Sequence, residues 1–433
     1  MKLNVLKFGG TSVGSLERMN QVADLVTTPG KKLVVLSAMS GTTDELVRIS
    51  QLPTDPQKQE LKKLKHDYQS RAFELIPSGP FNQELKKAID ELFKELDNSL
   101  NRNANNGSNE ILALGELLST KMVYFLLRNR SIPVQWLDAR EILVLDENDR
   151  PNESFIERAL TREMNAKACE LFIIQGFICR NHLGDTSNLK RGGSDYSASI
   201  FGKALGASEI QIWTDIDGMH NGDPRFVNNT KPIRKLSFDE AAELAYFGAK
   251  ILHPASIQPA KEANIPVRLK NTMQPDKPGT LISMESDTVT KIKSIAAKDN
   301  ITAIKIKSAR MLLAYGFIRR VFQVFEDHKT AIDLITTSEV AVSTTIDDTS
   351  RLDEIVQDLK ELGEVELDKD LTIICIVGQF IAEDRGQAAD IFAALRDIPL
   401  RMISYGGSKH NISILIENKF KKKALQSLHE SLL

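Results

Sequence analysis

Short, solidly apolar runs that end in glycine-rich loops dominate the first 290 residues. Leu3, Val5 and Leu6 lead into Lys7-Phe8-Gly9-Gly10-Thr11-Ser12, and Leu33-Val34-Val35-Leu36 lead into Ser37-Ala38-Met39-Ser40-Gly41-Thr42-Thr43. Residues 171–178, 209–213 and 266–272 repeat the theme, with helical stretches between them. Unbroken apolar runs read as strands buried on both faces. The pattern predicts an α/β fold with a mainly parallel sheet and a site at the carboxyl ends of its strands. Residues 55–103 differ. They are rich in Lys, Glu, Gln and Leu, and place Leu85, Ile89, Leu92 and Leu96 at helical spacing, which predicts two inserted charged helices. The next helix carries Ile111, Leu114, Leu117, Leu118 and Met122 on its apolar side, with Glu116 set among the leucines. Pro275, Pro278 and Gly279 mark a boundary before residue 290.

Beyond residue 295 the texture changes to alternation: Ile304 and Ile306, then Val340 and Val342, then Ile412, Ile414 and Ile416. Alternation predicts antiparallel sheets with one solvated face. Ile332-Asp333-Leu334-Ile335-Thr336 and Leu400-Arg401-Met402-Ile403-Ser404 each follow a helical stretch and precede an alternating strand. Two copies of a small β-α-β unit are the expected tail.

The totals narrow the field. The chain has 433 residues, enough for two or three domains, with 42% hydrophobic and 26% charged residues. Lys+Arg 56 against Asp+Glu 58 gives a net charge of −2, so no broad nucleic-acid surface is expected. No apolar run reaches the ~18 residues that would span a bilayer. The glycine motif beginning at residue 7 leaves an expectation of no secretory signal. Cys169, Cys179 and Cys375 offer no metal-finger spacing and suit a reducing compartment, so a cytoplasmic location is expected.

Three loops carry chemistry. At Lys7-Phe8-Gly9-Gly10 the glycines let backbone N–H groups approach a ligand, and the lysine adds a point charge, which suits phosphate. A strand running into a plain glycine turn explains the same hexapeptide equally well. The lysine precedes the glycines, so this is not the Walker pattern. Arg191-Gly192-Gly193-Ser194-Asp195 places a carboxylate-matching fork and bare backbone before a helix, with a surface turn capped by Asp195 as the alternative. Thr214 and Asp215 at a strand end, with Arg225 and Lys250 downstream, suit a nucleotide or are ordinary loop polars.

As a set these segments resemble the aspartate kinases of the amino-acid kinase superfamily, over nearly the whole chain. The matching motifs are KFGGTSV at 7–13, LSAMSGTTDEL at 36–46, ALGELLST at 113–120, RGGSDYSA at 191–198, TDIDGMHNGDPR at 214–225, FGAKILHP at 247–254 and VRLKNT at 267–272. The resemblance implies an amino-acid-kinase-like sandwich over 1–290, with helices on both faces of the sheet and a helical insertion at about 55–105. Two ferredoxin-like ACT units would follow at 291–370 and 371–433. It implies ATP with Mg2+ as phosphoryl donor and L-aspartate as acceptor, giving 4-phospho-L-aspartate. Lys7, Phe8, Gly9 and Gly10 would hold the phosphates, with Lys7 stabilising the transferred group and Asp195 orienting Lys7 or the substrate. Ser37, Thr43, Gly192, Gly193 and Ser194 would lie by aspartate, Glu116 would take its ammonium and Arg191 its α-carboxylate. Thr214, Asp215, His220, Arg225 and Lys250 would contact the nucleotide. No protein ligand for magnesium is implied. His220 stands where the family usually has tyrosine, and Lys190 where glycine is frequent.

The tail resembles the lysine-sensing element of the lysine-inhibited branch. Asp333 would receive a cationic group, while Met311, Gly316, Phe317, Thr337, Ser338 and Glu339 would supply amides for the effector's carboxylate. A homodimer through the ACT units is implied, with a tetramer as the larger form. Three rivals stand beside this reading. Kinases for glutamate, acetylglutamate or carbamate usually lack the long tail. A non-catalytic amino-acid sensor would be expected to have lost Lys7, Arg191 or Asp195. A nicotinamide dehydrogenase would need a G-x-G-x-x-G turn, which Gly9-Gly10 does not supply.

Overall fold

The computed structural model describes residues 2–102, 107–166, 169–189, 192–248, 252–285, 291–308, 315–379 and 385–433. The chain forms two compact units: Met1–Met219 with Arg234–Phe238 and Ile251–Ser286, and His220–Ile233 with Asp239–Lys250 and Asp287–Leu433.

In the first unit the strands are β1 (Leu3–Phe8), β2 (Lys31–Leu36), β3 (Val134–Trp136), β4 (Leu171–Gln175), β5 (Ile178–Arg180), β6 (Thr186–Asn188), β7 (Glu209–Thr214), β8 (Lys235–Ser237), β9 (Val267–Asn271) and β10 (Thr280–Ser283). Eight of them form one sheet in the order β3-β4-β2-β1-β7-β9-β10-β8, while β5 and β6 form a separate hairpin. Every neighbouring pair in the large sheet is parallel except β9 with β10. Val5, Phe8, Leu33 to Leu36 and Phe172 to Ile174 are 0% exposed, so both faces of the central strands are covered. Parallel strands require this, because each crossover lays a helix against the sheet.

The inserted helices Thr54–Leu75 and Pro80–Arg102 bury narrow stripes, and Leu85, Ile89, Leu92 and Leu96 lie inward as their spacing predicts. The helix Gly107–Asn129 is buried almost all round, including Glu116, Ser119 and Thr120.

The second unit holds β11 (Ile292–Lys307), β12 (Ile335–Thr337), β13 (Ala341–Ile346), β14 (Glu364–Gly378), β15 (Leu400–Tyr405) and β16 (Asn411–Glu417), in one antiparallel sheet ordered β12-β13-β11-β14-β16-β15. The long strands β11 and β14 pair along their whole length, with register shifts between Lys298 and Ala303. Asn300 there takes a left-handed backbone, φ 61°. These irregularities divide the sheet into two four-stranded halves. The later part of β11, β12, β13 and the first part of β14, with helices Phe317–Asp327 and Leu352–Lys360, surround one core that includes Ile304, Val321, Val342 and Ile355. The second part of β14, β15, β16 and the first part of β11, with helices Gln387–Ala394 and Lys421–Leu432, surround another that includes Ile292, Ile295, Ile374, Ile414 and Leu428.

Division of the tail at 370 follows chain order, whereas the packing interleaves: residues 292–298 complete the repeat formed by 371–432. The expectation of a solvated face also needs correction for β16. Ser413 is 1% exposed and Leu415 0%, alongside the buried isoleucines, because Leu415 replaces the polar residue that alternation would need. Val227, from the motif at 214–225 and its continuation, is a member of the second core, and Gln426 Nε2 donates to the Phe226 carbonyl at 3.1 Å.

A direct test of the interleaving is to express residues 371–433 alone. Without the β11 strand this segment should stay unfolded by circular dichroism and amide dispersion, whereas residues 291–433 should fold.

Candidate functional site

Five strands of the first sheet end level with one another. Gln175 of β4 pairs with Leu36 of β2, Leu36 with Phe8 of β1, Phe8 with Trp213 of β7, and Trp213 with Lys270 of β9. Their loops therefore leave along a single edge.

The loop after β1 is fixed by its backbone. Gly9 N–H donates to the Trp213 carbonyl at 3.2 Å, and Ser12 N–H to the Gly9 carbonyl at 2.9 Å. Arg18 Nη1 holds the Thr11 carbonyl at 2.6 Å, and the Ser12 and Thr272 hydroxyls lie 2.7 Å apart. Glycine gives residue 10 its space: a Cβ there would stand 3.0 Å from the Ala38 carbonyl oxygen, tighter than an ordinary contact. Lys7, one residue before the strand end, places its Nζ 2.7 Å from Asp195 Oδ1, with both side chains nearly buried.

Asp195 lies in the first turn of the helix Gly193–Leu205. Gly192, at φ 76°, turns the chain into that helix, and a Cβ on Gly193 would collide with the Phe177 ring at 2.6 Å. A Cβ on Gly176 would lie 2.6 Å from Ser194 Cβ. Ser194 thus rests directly on the loop that follows β4. Helix N-terminal amides favour an anion at this point.

The loop after β2 carries the second set of groups. Ser37 N–H donates to the Phe8 carbonyl at 3.1 Å, and Ser119 Oγ donates to the Ser37 carbonyl at 2.7 Å. Ala38 N–H donates to Glu116 Oε1 at 3.2 Å, while Glu116 Oε2 is buried without a partner among the described residues. Burial pushes the Glu116 carboxyl up to about 8, with the Ala38 bond opposing. The Thr42 and Tyr68 hydroxyls lie 3.0 Å apart, and burial raises the Tyr68 phenol to about 12. After β7, Thr214 Oγ1 donates to Asp215 Oδ1 at 3.0 Å, and the Thr214 carbonyl accepts from Thr272 N–H at 2.8 Å.

The edge thus brings together Lys7, Phe8, Gly9, Gly10, Ser37, Glu116, Gly192, Gly193, Ser194, Asp195, Thr214 and Asp215. Thr43 is exposed, and its neighbour Thr42 makes the inward contact. Arg191, Lys250 and Met311 lie outside the described residues, as does Lys190. His220 and Arg225 belong to the second unit, where Arg225 forks onto Asp223 at 2.6 Å and the His220 carbonyl accepts from Ser294 Oγ at 2.8 Å.

In that unit Gly316, φ 78°, opens the helix Phe317–Asp327, and the Phe317 side chain is committed to a core. Thr337 ends β12, and Ser338 N–H donates to the Ala341 carbonyl at 2.8 Å in the turn that includes exposed Glu339. Asp333 Oδ1 accepts from Tyr246 Oη at 2.7 Å and from Lys298 Nζ at 2.6 Å.

Gln175 and Tyr68 escaped sequence reasoning. Gln175 is 0% exposed, accepts from Ala139 N–H at 2.8 Å and donates to Thr120 Oγ1 at 2.9 Å. A lone amide ending an apolar strand was its signal. Tyr68 was legible as the single aromatic in the first 18 residues of a highly charged helix.

A lysine, bare glycines and a helix N-terminus at one sheet edge, beside a buried carboxylate, can hold a polyphosphate against a small amino acid. This is the layout of a phosphotransferase acting on a small metabolite. Residues 2–271 match the amino acid kinase family and residues 374–432 an ACT domain. The chain is 33% identical to lysine-sensitive aspartokinase 3 of Escherichia coli, over 99% of this chain and 98% of that protein. The crystal structure of E. coli aspartokinase III with aspartate and ADP superimposes with a TM-score of 0.84 at 32% identity, covering both chains completely. The same enzyme with lysine and aspartate gives 0.83, again over both whole chains. This chain belongs to the amino acid kinase family, and within it to the aspartokinases.

The Glu116 shift has a definite pH signature. Its carboxyl titrates near 4.5 when unfolded and near 8 when folded, so the native state binds the extra proton and loses stability as pH rises between these values. Glu116→Gln should therefore melt above the unaltered protein by a margin that is absent below pH 4.5, grows up to pH 8 and is then constant. Thermal denaturation of ligand-free protein across this range reads the margin.

Proposed function

We propose that the chain transfers the γ-phosphoryl group of ATP to the β-carboxylate of L-aspartate, giving 4-phospho-L-aspartate and ADP. The observation that carries this reading is the Lys7–Asp195 pair at the same strand edge as the half-partnered Glu116. The acceptor carboxylate, with a solution pKa of about 4, is ionised at neutral pH, so no general base is needed. A carboxylate oxygen attacks the γ-phosphorus, the bond to the bridging oxygen breaks, and ADP leaves with that oxygen and its electron pair. The protein's task is to align the two anions and offset their repulsion.

Lys7 supplies a fixed cation to the transferring group, and Asp195 holds it on aim. Gly10 offers a backbone donor to the phosphates, Gly9, its N–H bound to the Trp213 carbonyl, leaves them room to approach, and the Gly193–Leu205 helix adds the field of its N-terminus. Magnesium, for which no residue of the chain is assigned as ligand, would supply charge neutralisation at the phosphates. Ser37, Gly192, Gly193 and Ser194 border the acceptor, Arg191 takes its α-carboxylate, and Thr214 and Asp215 serve the nucleotide. Glu116 receives the ammonium. Before binding it carries a proton at neutral pH, so capture of the substrate cation expels that proton.

In the second unit Asp333 receives the side-chain ammonium of lysine as inhibitor. Met311, Gly316, Phe317 and the Thr337-Ser338-Glu339 turn meet its carboxylate. The reading includes a homodimer built on the ACT repeats, a tetramer as its larger form, and a cytoplasmic setting. No helix among the described residues is long and apolar enough to cross a membrane.

Hydroxylamine trapping of the acyl phosphate tests the reaction. Lys7→Ala should lower kcat on the order of 10²–10³-fold, with aspartate KM moved by a few-fold at most; undiminished kcat would remove Lys7 from the mechanism. In the same assay the aspartate KM should fall as pH rises toward 8, and Glu116→Gln should abolish that dependence.

A further inference from the structure

The carboxylate assigned to the effector already holds an alkylammonium, and it is the chain's own. Asp333 has a side chain 1% exposed, and its backbone is pinned by the bond from its N–H to the Thr345 carbonyl at 2.8 Å. Lys298 Nζ reaches Asp333 Oδ1 at 2.6 Å and Asp347 Oδ2 at 2.9 Å. Tyr246 Oη donates to the same Oδ1 at 2.7 Å, and its ring faces Lys298 Nζ at 4.6 Å. The two carboxylates outweigh burial and hold the Lys298 ammonium above its usual range.

We propose that Lys298 is a built-in competitor of the effector, occupying Asp333 with the same primary ammonium that free lysine would present and so setting the concentration at which inhibition begins. This rests on the reading above that Asp333 receives the effector's ammonium. Two features support competition over sharing, even with Asp333 Oδ2 buried and unpartnered among the described residues. A second ammonium at Asp333 would lie against the first in a nearly buried site, where like charges repel strongly. Asp347 gives the displaced Lys298 a carboxylate to keep, so displacement does not strand a cation. Lys298 sits just before the irregular turn at Asn300, where β11 passes from one repeat to the other.

A binding-competent state populated only in part weakens apparent affinity by that fraction. If Lys298 holds Asp333 nine-tenths of the time, removing it tightens lysine binding about tenfold. The experiment compares lysine inhibition curves, each scaled to its own uninhibited rate, with calorimetric titration of free lysine, using the full-length chain. Lys298→Met and Lys298→Gln, the latter keeping a hydrogen-bond donor where loss of the stem disturbs folding, should both move the midpoint to about tenfold lower lysine. A midpoint unchanged or raised in both variants, while Asp333→Asn still abolishes lysine binding, overturns the competition and leaves the effector site standing. Lysine binding by Asp333→Asn as tight as that of the unaltered chain overturns both.

Discussion

Two opposite charges, neither able to reach much water, are tied across the strand edge by Lys7 and Asp195. Either one alone would be costly there; losing one partner of a buried pair typically costs about 3–5 kcal/mol. The pair therefore fixes the distance between the end of β1 and the first turn of the Gly193–Leu205 helix. The surrounding glycines follow from that closeness. Gly10 under Ala38, Gly176 under Ser194 and Gly193 under Phe177 are positions where a Cβ would meet another atom at 3.0 Å or less. The loops approach each other because these side chains are missing.

The chain treats its two key buried carboxylates in opposite ways. Glu116, on a helix buried nearly all round, keeps one oxygen free of partners among the described residues and is pushed toward its neutral form. Such a group pairs with a cation only when one arrives. Asp333 is supplied with a cation from its own chain. The first carboxylate is open to a cation supplied from outside the chain, and the second is already matched by one of the chain's own.

Much of this was legible beforehand. The apolar residues Leu3, Val5 and Leu6 and the run Leu33–Leu36 marked buried parallel strands because such short apolar stretches ending in glycine loops admit few other readings. Lys7, Gly9 and Gly10 were visible because a charge beside glycines is unusual at a strand end. Three things were hidden. The Tyr68 contact to Thr42 joins residues on separate elements, and only packing brings them together. Lys298 looks like any lysine on an alternating strand, and its partners lie 35 and 49 residues further along the chain. The membership of Val227 in a core formed mainly beyond residue 290 reflects a long-range contact that local periodicity does not encode.

The crossing of β11 and β14 between the repeats also governs the order in which the molecule can be completed. As the chain leaves the ribosome, every part of the repeat spanning residues 301–371 has emerged before residue 380. At that point its sister has only its shares of β11 and β14, with its two helices and the strands β15 and β16 still to follow. Until those parts are in place, Ile292 and Ile295 lack most of the core that buries them in the finished fold. Nascent chains are prone to wrong association at such edges. A stop between β14 and β16 would leave one closed repeat and one open apolar edge, so β16 and the helix Lys421–Leu432 close a repeat whose first strand begins at Ile292.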